Sequence, residues 1–187
     1  DHLLKYPDVL VAVEADPDTE QTEGWAATEP ALQHALARLD AMRLQEGAAL
    51  REDLAHRCAL IEEHLAAVEA RAPERVTEAQ ARLRDRLGEL LADERLNPDR
   101  LETEVAVLAD KLDVTEECVR LRSHLAQFRE ALDAEEAVGR RLNFLAQEFN
   151  REINTIASMA NDPAIAHRAV TLKEELEKIR EQVQNVE

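Results

Sequence analysis

The sequence predicts an all-α fold, in which a long antiparallel helical hairpin is followed by a small helical bundle. Only 4 of the 187 residues are glycine and 6 are proline, whereas an all-β domain needs a turn every ~8–12 residues. The glycines are also isolated from one another, which excludes the glycine-rich phosphate loop of a Rossmann or P-loop domain. Charged residues make up 34% of the chain and aromatic residues only 3%. The abundance of Ala, Glu, Leu and Arg is typical of long helices.

Residues 1–27 are predicted to be an acidic, irregular segment with at most a short helix or strand. Asp and Glu are frequent there, and Lys5 is the only Lys or Arg. From Glu14 to Gly24 the chain is polar and acidic, so we predict a loop over this stretch.

Residues 28–96 are predicted to form the long hairpin. Thr28 can cap a helix that contains Pro30 in its first turn, and apolar residues then recur with helical spacing to about residue 72. We expect Pro73 to break this helix and to start a second one, antiparallel to the first. The first helix would be about 65 Å long. Because this length exceeds the diameter of a compact core, we expect a partner helix or subunit to cover part of it.

Residues 97–187 are predicted to be a C-terminal bundle of three or four shorter helices. The predicted helix starts are Asn97-Pro98, Asp113 with Glu116 as a capping box, Val138, and Asp162-Pro163. Along the last helix the apolar residues alternate at spacings of four and three, which is a coiled-coil spacing.

Composition also bears on the compartment and on the partners. The chain has no apolar run near the ~18 residues that indicate a membrane span, and we expect no signal peptide in it. Cys58 and Cys118 form no CxxC pair, which favours buried free thiols in a reducing cytoplasm. The chain begins with Asp1, and we expect an N-terminal part of the natural protein to be absent. The formal net charge of −17 argues against non-specific nucleic-acid binding, which Lys and Arg drive.

Polar residues with helical spacing flank the apolar stripes of the bundle. On the helix that begins near Val138, one flank carries Arg141, Glu148 and Glu152, and the other carries Arg140, Asn150 and Asn154. The preceding predicted helix carries Glu117, Arg120 and His124, and the last helix carries Lys173 and Arg180. Such mixtures usually form solvent-exposed ion pairs. Asparagine is unfavourable in the middle of a helix, however. Carboxylates four residues apart can hold a divalent ion beside arginines that grip a phosphate, as metal-assisted phosphodiester cleavage requires.

Several sequence strings resemble the bacterial YicC family, most densely from Leu101 onward. They are DVTEE at 113–117, RLRSH at 120–124, VGRRLNF at 138–144, QEFNREINT at 147–155 and EKIREQVQNVE at 177–187, together with RLQEGAAL at 43–50 and LKYPDVL at 4–10. The resemblance implies a fragment of a metal-dependent endoribonuclease that forms a homohexamer in the bacterial cytoplasm and lacks its N-terminal domain here. One departure is Met159, which stands where the family usually has a lysine.

On this reading the chain helps to cleave RNA with a divalent metal, Mg²⁺ or Mn²⁺. The predicted catalytic residues are Glu117, His124, Glu148 and Glu152, and the predicted metal ligands are Glu148, Glu152 and His124. The predicted RNA contacts are Arg120, Arg140, Arg141, Asn150, Arg151, Asn154, Lys173 and Arg180. These roles are inferred from helix facing and side-chain chemistry.

Two other functions are compatible with the helical pattern. The chain could be an oligomerisation module whose helices only build the assembly, with the chemistry in the missing domain. It could also be a coiled-coil adaptor unrelated to RNA, although the asparagine stripe is hard to explain on that view.

Overall fold

A computed structural model describes residues 17–90, 98–134, 136–159 and 161–186. These residues contain five helices and no strand, which confirms the all-α class. The helices are α1 (Pro17–Leu90), α2 (Pro98–Leu112), α3 (Thr115–Leu132), α4 (Gly139–Met159) and α5 (Pro163–Val183). The short helix or strand predicted near the N-terminus falls largely within residues 1–16, which lie outside the described residues. None of the described helices combines the length and the apolar character that crossing a membrane requires.

The loop predicted from Glu14 to Gly24 is wrong from Pro17 onward, because α1 begins at that residue. Proline is favoured in the first turn of a helix, where its missing N–H group has no partner to lose. The polar composition of this stretch indicated a loop, whereas Pro17 is the local signal of the helix start.

The break predicted at Pro73 is also wrong, and with it the hairpin turn, because α1 continues through this residue to Leu90. Tertiary contacts hold the helix on both sides of the proline. Val68 is buried in the core one turn before it, and Arg75 is buried two residues after it. Pro73 itself is exposed, so water can reach the carbonyl group that its ring leaves without an N–H partner.

The chain divides into two compact units, Asp1–Gly47 and Ala48–Glu187. The predicted boundaries after residues 27 and 96 do not coincide with this division. In the first unit, residues 17–47 are helical, and a row of apolar side chains is exposed along them. The row comprises Trp25, Leu32, Leu36, Leu39 and Met42.

The second unit has one hydrophobic core, to which α1, α3, α4 and α5 contribute. Helix α4 packs against both α3 and α5. The core residues from α1 recur every three or four positions, as the helical period requires: Leu54, Cys58, Ile61, Leu65 and Val68. Phe128 of α3 and Phe149 of α4 meet in this core with their ring centroids 5.4 Å apart.

The helix starts show which capping predictions hold. Asp162 caps α5, because its Oδ1 accepts hydrogen bonds from the main-chain N–H groups of Ala164 and Ile165, both at 3.0 Å. The capping box of Asp113 and Glu116 is wrong: α3 begins at Thr115, and its N-cap residue, Val114, makes no side-chain cap. Asp113 accepts one bond from the Thr115 N–H at 2.8 Å.

Two arginines of α1 bind the ends of other helices. Arg75 is 1% exposed and donates to the main-chain carbonyls of Leu112 and Met159, the last residues of α2 and α4. Arg71 donates to Asp162 at 2.8 Å and to Glu78 at 2.7 Å. We call these two arginines and their partners the Arg71–Arg75 network. It satisfies carbonyl groups that a helix leaves open at its C-terminal end.

Candidate functional site

His124 of α3 and Glu148 and Glu152 of α4 converge where these helices pack. Each offers one ligand atom, and the three atoms lie within 4.8 Å of one another. We call this group the α3–α4 cluster. His124 lies next to buried Leu125, at the edge of the apolar face of α3. The two glutamates are four residues apart and therefore share one face of α4.

The histidine of the α3–α4 cluster has no hydrogen-bond partner for either ring nitrogen among the described residues. Its Nδ1 is buried and unpaired, and its Nε2 stands 3.9 Å from Glu148 Oε2, beyond hydrogen-bonding distance. Two ligands that each lie about 2.1 Å from one ion stand roughly 3–4 Å apart. An imidazole and two carboxylates are also ligands that divalent cations accept. The donor set therefore fits a divalent ion in its chemistry, and the 3.9 Å between His124 Nε2 and Glu148 Oε2 fits it in spacing. The 4.8 Å bound on the whole set requires the side chains to close slightly around an ion.

Arg120 fixes the buried carboxylate of this site. Glu152 is 2% exposed, and its Oε2 accepts a hydrogen bond from Arg120 Nε at 3.0 Å. The same guanidinium donates to Glu117 at 3.0 Å and to Glu116. These carboxylates raise the pKa of Arg120, and the hydrogen bond to Glu152 is the largest cause. Arg120 was predicted to bind RNA, but in the structure its donors are directed at three carboxylates. Glu117 is also buried, and Arg120 links it to the α3–α4 cluster by donating to both Glu117 and Glu152.

The remaining predicted RNA contacts on α4 are divided between the flank that carries Glu148 and Glu152 and the opposite flank, which carries Asn150 and Asn154. Arg151 NH1 lies 3.7 Å from Glu148 Oε2, and Arg141 pairs with Glu130 at 3.3 Å. Asn154 donates to Asn150 at 3.2 Å, and both amides are exposed. Arg140 is exposed and makes no ion pair with any described residue, which leaves its guanidinium available.

The two predicted contacts on α5 are not joined to the α3–α4 cluster by any contact within the described ranges. Lys173 is exposed, and Arg180 pairs with Glu177 of its own helix at 2.9 Å. Their predicted contact with RNA stays a prediction.

Met159, which replaces the lysine that the resemblance implies, is the last residue of α4. Its side chain packs partly buried against the core, and its carbonyl accepts the bond from Arg75 at 2.9 Å. In this chain the position therefore serves the packing of the helix end.

Sequence reasoning missed Phe144, which is 59% exposed on α4. A signal was available, because at 100° per residue Phe144 lies about 200° around the helix from buried Leu142. An aromatic residue so far from the apolar stripe cannot join the core. The partners Glu116 and Glu130 were also missed, and nothing in the spacing distinguished them from other surface glutamates.

Comparison with known proteins extends this description. The family described as "Endoribonuclease YicC-like, C-terminal" matches residues 68–187, which include all of the α3–α4 cluster. The chain belongs to the YicC-like endoribonuclease family. The family's N-terminal region matches residues 1–52. The expectation that the YicC N-terminal part is absent is therefore wrong.

Two curated relatives carry the name "Probable endoribonuclease YicC". The protein from Clostridioides difficile (strain 630) is 40% identical over 187 residues, which are 100% of this chain and 63% of the relative. The protein from Haemophilus influenzae (strain ATCC 51907 / DSM 11121 / KW20 / Rd) is 36% identical over 185 residues, which are 99% of this chain and 62% of the relative. The chain thus spans less than two thirds of the length of these YicC relatives.

Proposed function

We propose that this chain is part of a metal-dependent endoribonuclease and that the α3–α4 cluster is its metal site. The observation that carries the proposal is the convergence of His124, Glu148 and Glu152, together with a buried Nδ1 of His124 that has no hydrogen-bond partner among the described residues. Most buried polar side-chain atoms have a hydrogen-bond partner. The names of the two relatives support RNA as the substrate.

The residues of the site have separable roles in this proposal. Glu152, Glu148 and His124 would bind Mg²⁺ or Mn²⁺, which when bound would neutralise charge on the phosphate and activate the attacking hydroxyl or water. Arg120 holds Glu152 in one orientation through the 3.0 Å bond from Nε, as outer partners of metal ligands do. Glu117 keeps Arg120 in place from the other side.

The exposed arginines and amides of α4 would hold the RNA strand. Arg140, Arg141 and Arg151 can donate to phosphate oxygens, and the exposed amides of Asn150 and Asn154 can donate to sugars or bases. Because the chain carries a formal net charge of −17, attraction to RNA must come from this local group of cations. We therefore expect binding to weaken steeply as salt rises.

The decisive experiment is RNA cleavage by the chain with Mg²⁺ or Mn²⁺ and with chelator. We expect chelator to abolish cleavage and Glu148→Gln or Glu152→Gln to lower kcat/KM about 100-fold or more, because each removes a charged metal ligand. Glu177→Gln is the matched control, since Glu177 also pairs with an arginine but lies on α5.

Titration calorimetry with Mn²⁺ provides a second readout, in which the two ligand variants should lose binding and the control should retain it. Cleavage that survives both chelator and Glu148→Gln would show that the chemistry does not use this site.

We propose a second role, homo-oligomerisation, for the first unit. Trp25, Leu32, Leu36, Leu39 and Met42 leave an apolar row exposed along α1, at 45–56% of each residue. A second copy of the chain can cover such a row, and the resemblance implies a hexamer. Light scattering should show an assembly in the wild type that Leu36→Glu disrupts. A monomeric wild-type chain would contradict this role. We also propose the cytoplasm as its compartment, which the proposed RNA substrate and the two free thiols both support.

A further inference from the structure

Phe144 is the aromatic residue of α4 that the core does not use. The core takes up Phe128 and Phe149, which are both fully buried, whereas Phe144 is 59% exposed. Single exposed apolar residues are common on protein surfaces, so the exposure alone indicates nothing. What distinguishes this side chain is the set of residues around it.

The neighbours of Phe144 along α4 are cations and a metal-capable carboxylate. Glu148 of the α3–α4 cluster lies four residues after it and Arg140 four residues before it, so each is a surface neighbour of Phe144, with its Cβ atom about 5–6 Å from that of Phe144. Arg151 lies one further turn along the same face, 3.7 Å from Glu148. Along the helix, Arg140 therefore precedes and Arg151 follows the pair formed by Phe144 and Glu148.

An exposed aromatic ring among arginines matches the requirements of an unpaired nucleotide. Single-stranded nucleic acids bind by stacking their bases on aromatic side chains while basic residues follow the backbone. A base stacked one helical turn from Glu148 would place a neighbouring phosphate beside the α3–α4 cluster. A base inside a duplex has both of its faces covered and could not bind in this way.

We propose that Phe144 is a base-stacking platform that holds the nucleotide next to the bond to be cleaved. The proposal rests on the proposed function, and it narrows the substrate to RNA that is unpaired at the cleavage site. The platform reads no particular base, because every base has an aromatic face. Phe144 positions the substrate, and the chemistry belongs to the α3–α4 cluster.

The test measures binding to a single-stranded oligoribonucleotide that contains 2-aminopurine, with chelator present so that the strand stays intact. We expect Phe144→Ala and Phe144→Leu each to weaken binding about 10-fold and to remove the fluorescence quenching that stacking causes. Phe144→Tyr should bind like the wild type, because it keeps the ring. Binding of a blunt duplex of the same sequence should be equally weak in all variants.

Val170→Ala is the matched control, since Val170 is an equally exposed apolar residue (54%) on α5 and its truncation should leave binding unchanged. Circular dichroism and light scattering establish that each variant keeps its fold and its assembly. If Phe144→Leu binds and quenches like the wild type, or if Phe144→Ala alters the assembly instead, the platform is refuted. An assembly change would assign Phe144 to a protein interface.

Cleavage kinetics separate the failure of this inference from that of the proposed function. The stacking role requires that Phe144→Leu raise KM with little change in kcat, whereas Glu148→Gln should lower kcat. If Phe144→Leu loses the quenching and Glu148→Gln cleaves fully, the stacking role of Phe144 is supported and the proposed metal site is refuted. Normal binding by Phe144→Leu together with inactive Glu148→Gln would do the reverse. A wild-type chain that neither binds nor cleaves RNA would refute both.

Discussion

The Arg71–Arg75 network and the α3–α4 cluster are two groups of weakly exposed polar side chains within one helical unit, and they differ in what their groups face. In the network, opposite charges and main-chain carbonyls meet. Arg71 donates to Asp162 and Glu78, and Arg75 donates to the carbonyls that end two helices. In the α3–α4 cluster, two carboxylates face a histidine whose buried Nδ1 has no hydrogen-bond partner among the described residues.

Burial of charge does not by itself identify a functional site. A buried charge is tolerated when partners replace the water it has lost, and the network supplies such partners to the outer nitrogens of both guanidiniums. The α3–α4 cluster pairs its two carboxylates with Arg120 and Arg151, but the buried Nδ1 of His124 has no hydrogen-bond partner among the described residues, and such a nitrogen costs stability. We therefore expect the Arg71–Arg75 network to stabilise the fold and the α3–α4 cluster, without a bound cation, to reduce its stability.

The largest stability effect is expected at Arg75. Burial lowers the pKa of its guanidinium, and Asp162 partly counteracts this, so the charge is retained only because its partners compensate for the lost water. Arg75→Met should reduce the free energy of unfolding by about 3 kcal/mol, since two buried carbonyls lose their donor. Urea denaturation followed by circular dichroism measures this. Arg82→Met, at an exposed arginine of the same helix, should change stability by less than about 0.5 kcal/mol. Equal effects of the two changes would show that the network is not structural.

A smaller loss is expected at Asp162, which belongs to the network and also caps α5. Asp162→Ala removes the acceptor for two main-chain N–H groups and the partner of Arg71. We expect a loss of about 2 kcal/mol, half of it from the cap. Asp162→Asn keeps an acceptor oxygen and should lose about half as much. If both variants unfold like the wild type, the cap does not stabilise α5.

The same carboxyl group predicts a pH dependence. Burial by itself raises the pKa of Asp162. Hydrogen bonds from Arg71 and from the first N–H groups of α5 together lower this pKa by more than burial raises it, so it lies below its ordinary value of 3.8. A lowered folded-state pKa stabilises the fold above pH 3.8, and this stabilisation is lost as the pH falls through the folded-state pKa. Acid unfolding curves from pH 6 to pH 2 should therefore lose one component in Asp162→Asn. A wild-type curve with the same slope as the variant's would contradict the assignment.

The sequence predicted much of the helical structure because the apolar period is a local signal. The starts of α4 and α5 near Val138 and at Asp162 follow from apolar spacing and capping chemistry. The helix break predicted at Pro73 was wrong because Arg75 holds α1 in place by donating to the carbonyls of Met159 and Leu112, which are remote in the sequence. No local rule could supply those contacts.

The candidate site was predictable to the same degree. Two glutamates four residues apart must share a helix face, and His124 was at the edge of its own apolar stripe, so their convergence required only that α3 pack against α4. The ion pairs of Arg120 were not predictable, because its contact with Glu152 joins residues 32 positions apart. For that reason an arginine expected to bind RNA is found holding a carboxylate.

The smallest expected effect has the opposite sign and tests the comparison most sharply. His124→Leu should raise the free energy of unfolding by about 1 kcal/mol in the absence of divalent ions, because it replaces a buried unpaired nitrogen with an apolar group of similar size. His64 is the matched control, since it is also half-buried but its Nδ1 lies 3.1 Å from Arg168 NH1.

His64→Leu should therefore give no gain in stability. Thermal unfolding of both variants in chelator, and again with Mn²⁺, measures the difference. With Mn²⁺ present the wild type should gain stability by mass action and His124→Leu should not, so the order of the two midpoints should reverse. A His124→Leu chain that is less stable than the wild type in chelator would place this histidine in a structural network like that of Arg71 and Arg75. The contrast between the two groups would then no longer distinguish a site from a scaffold.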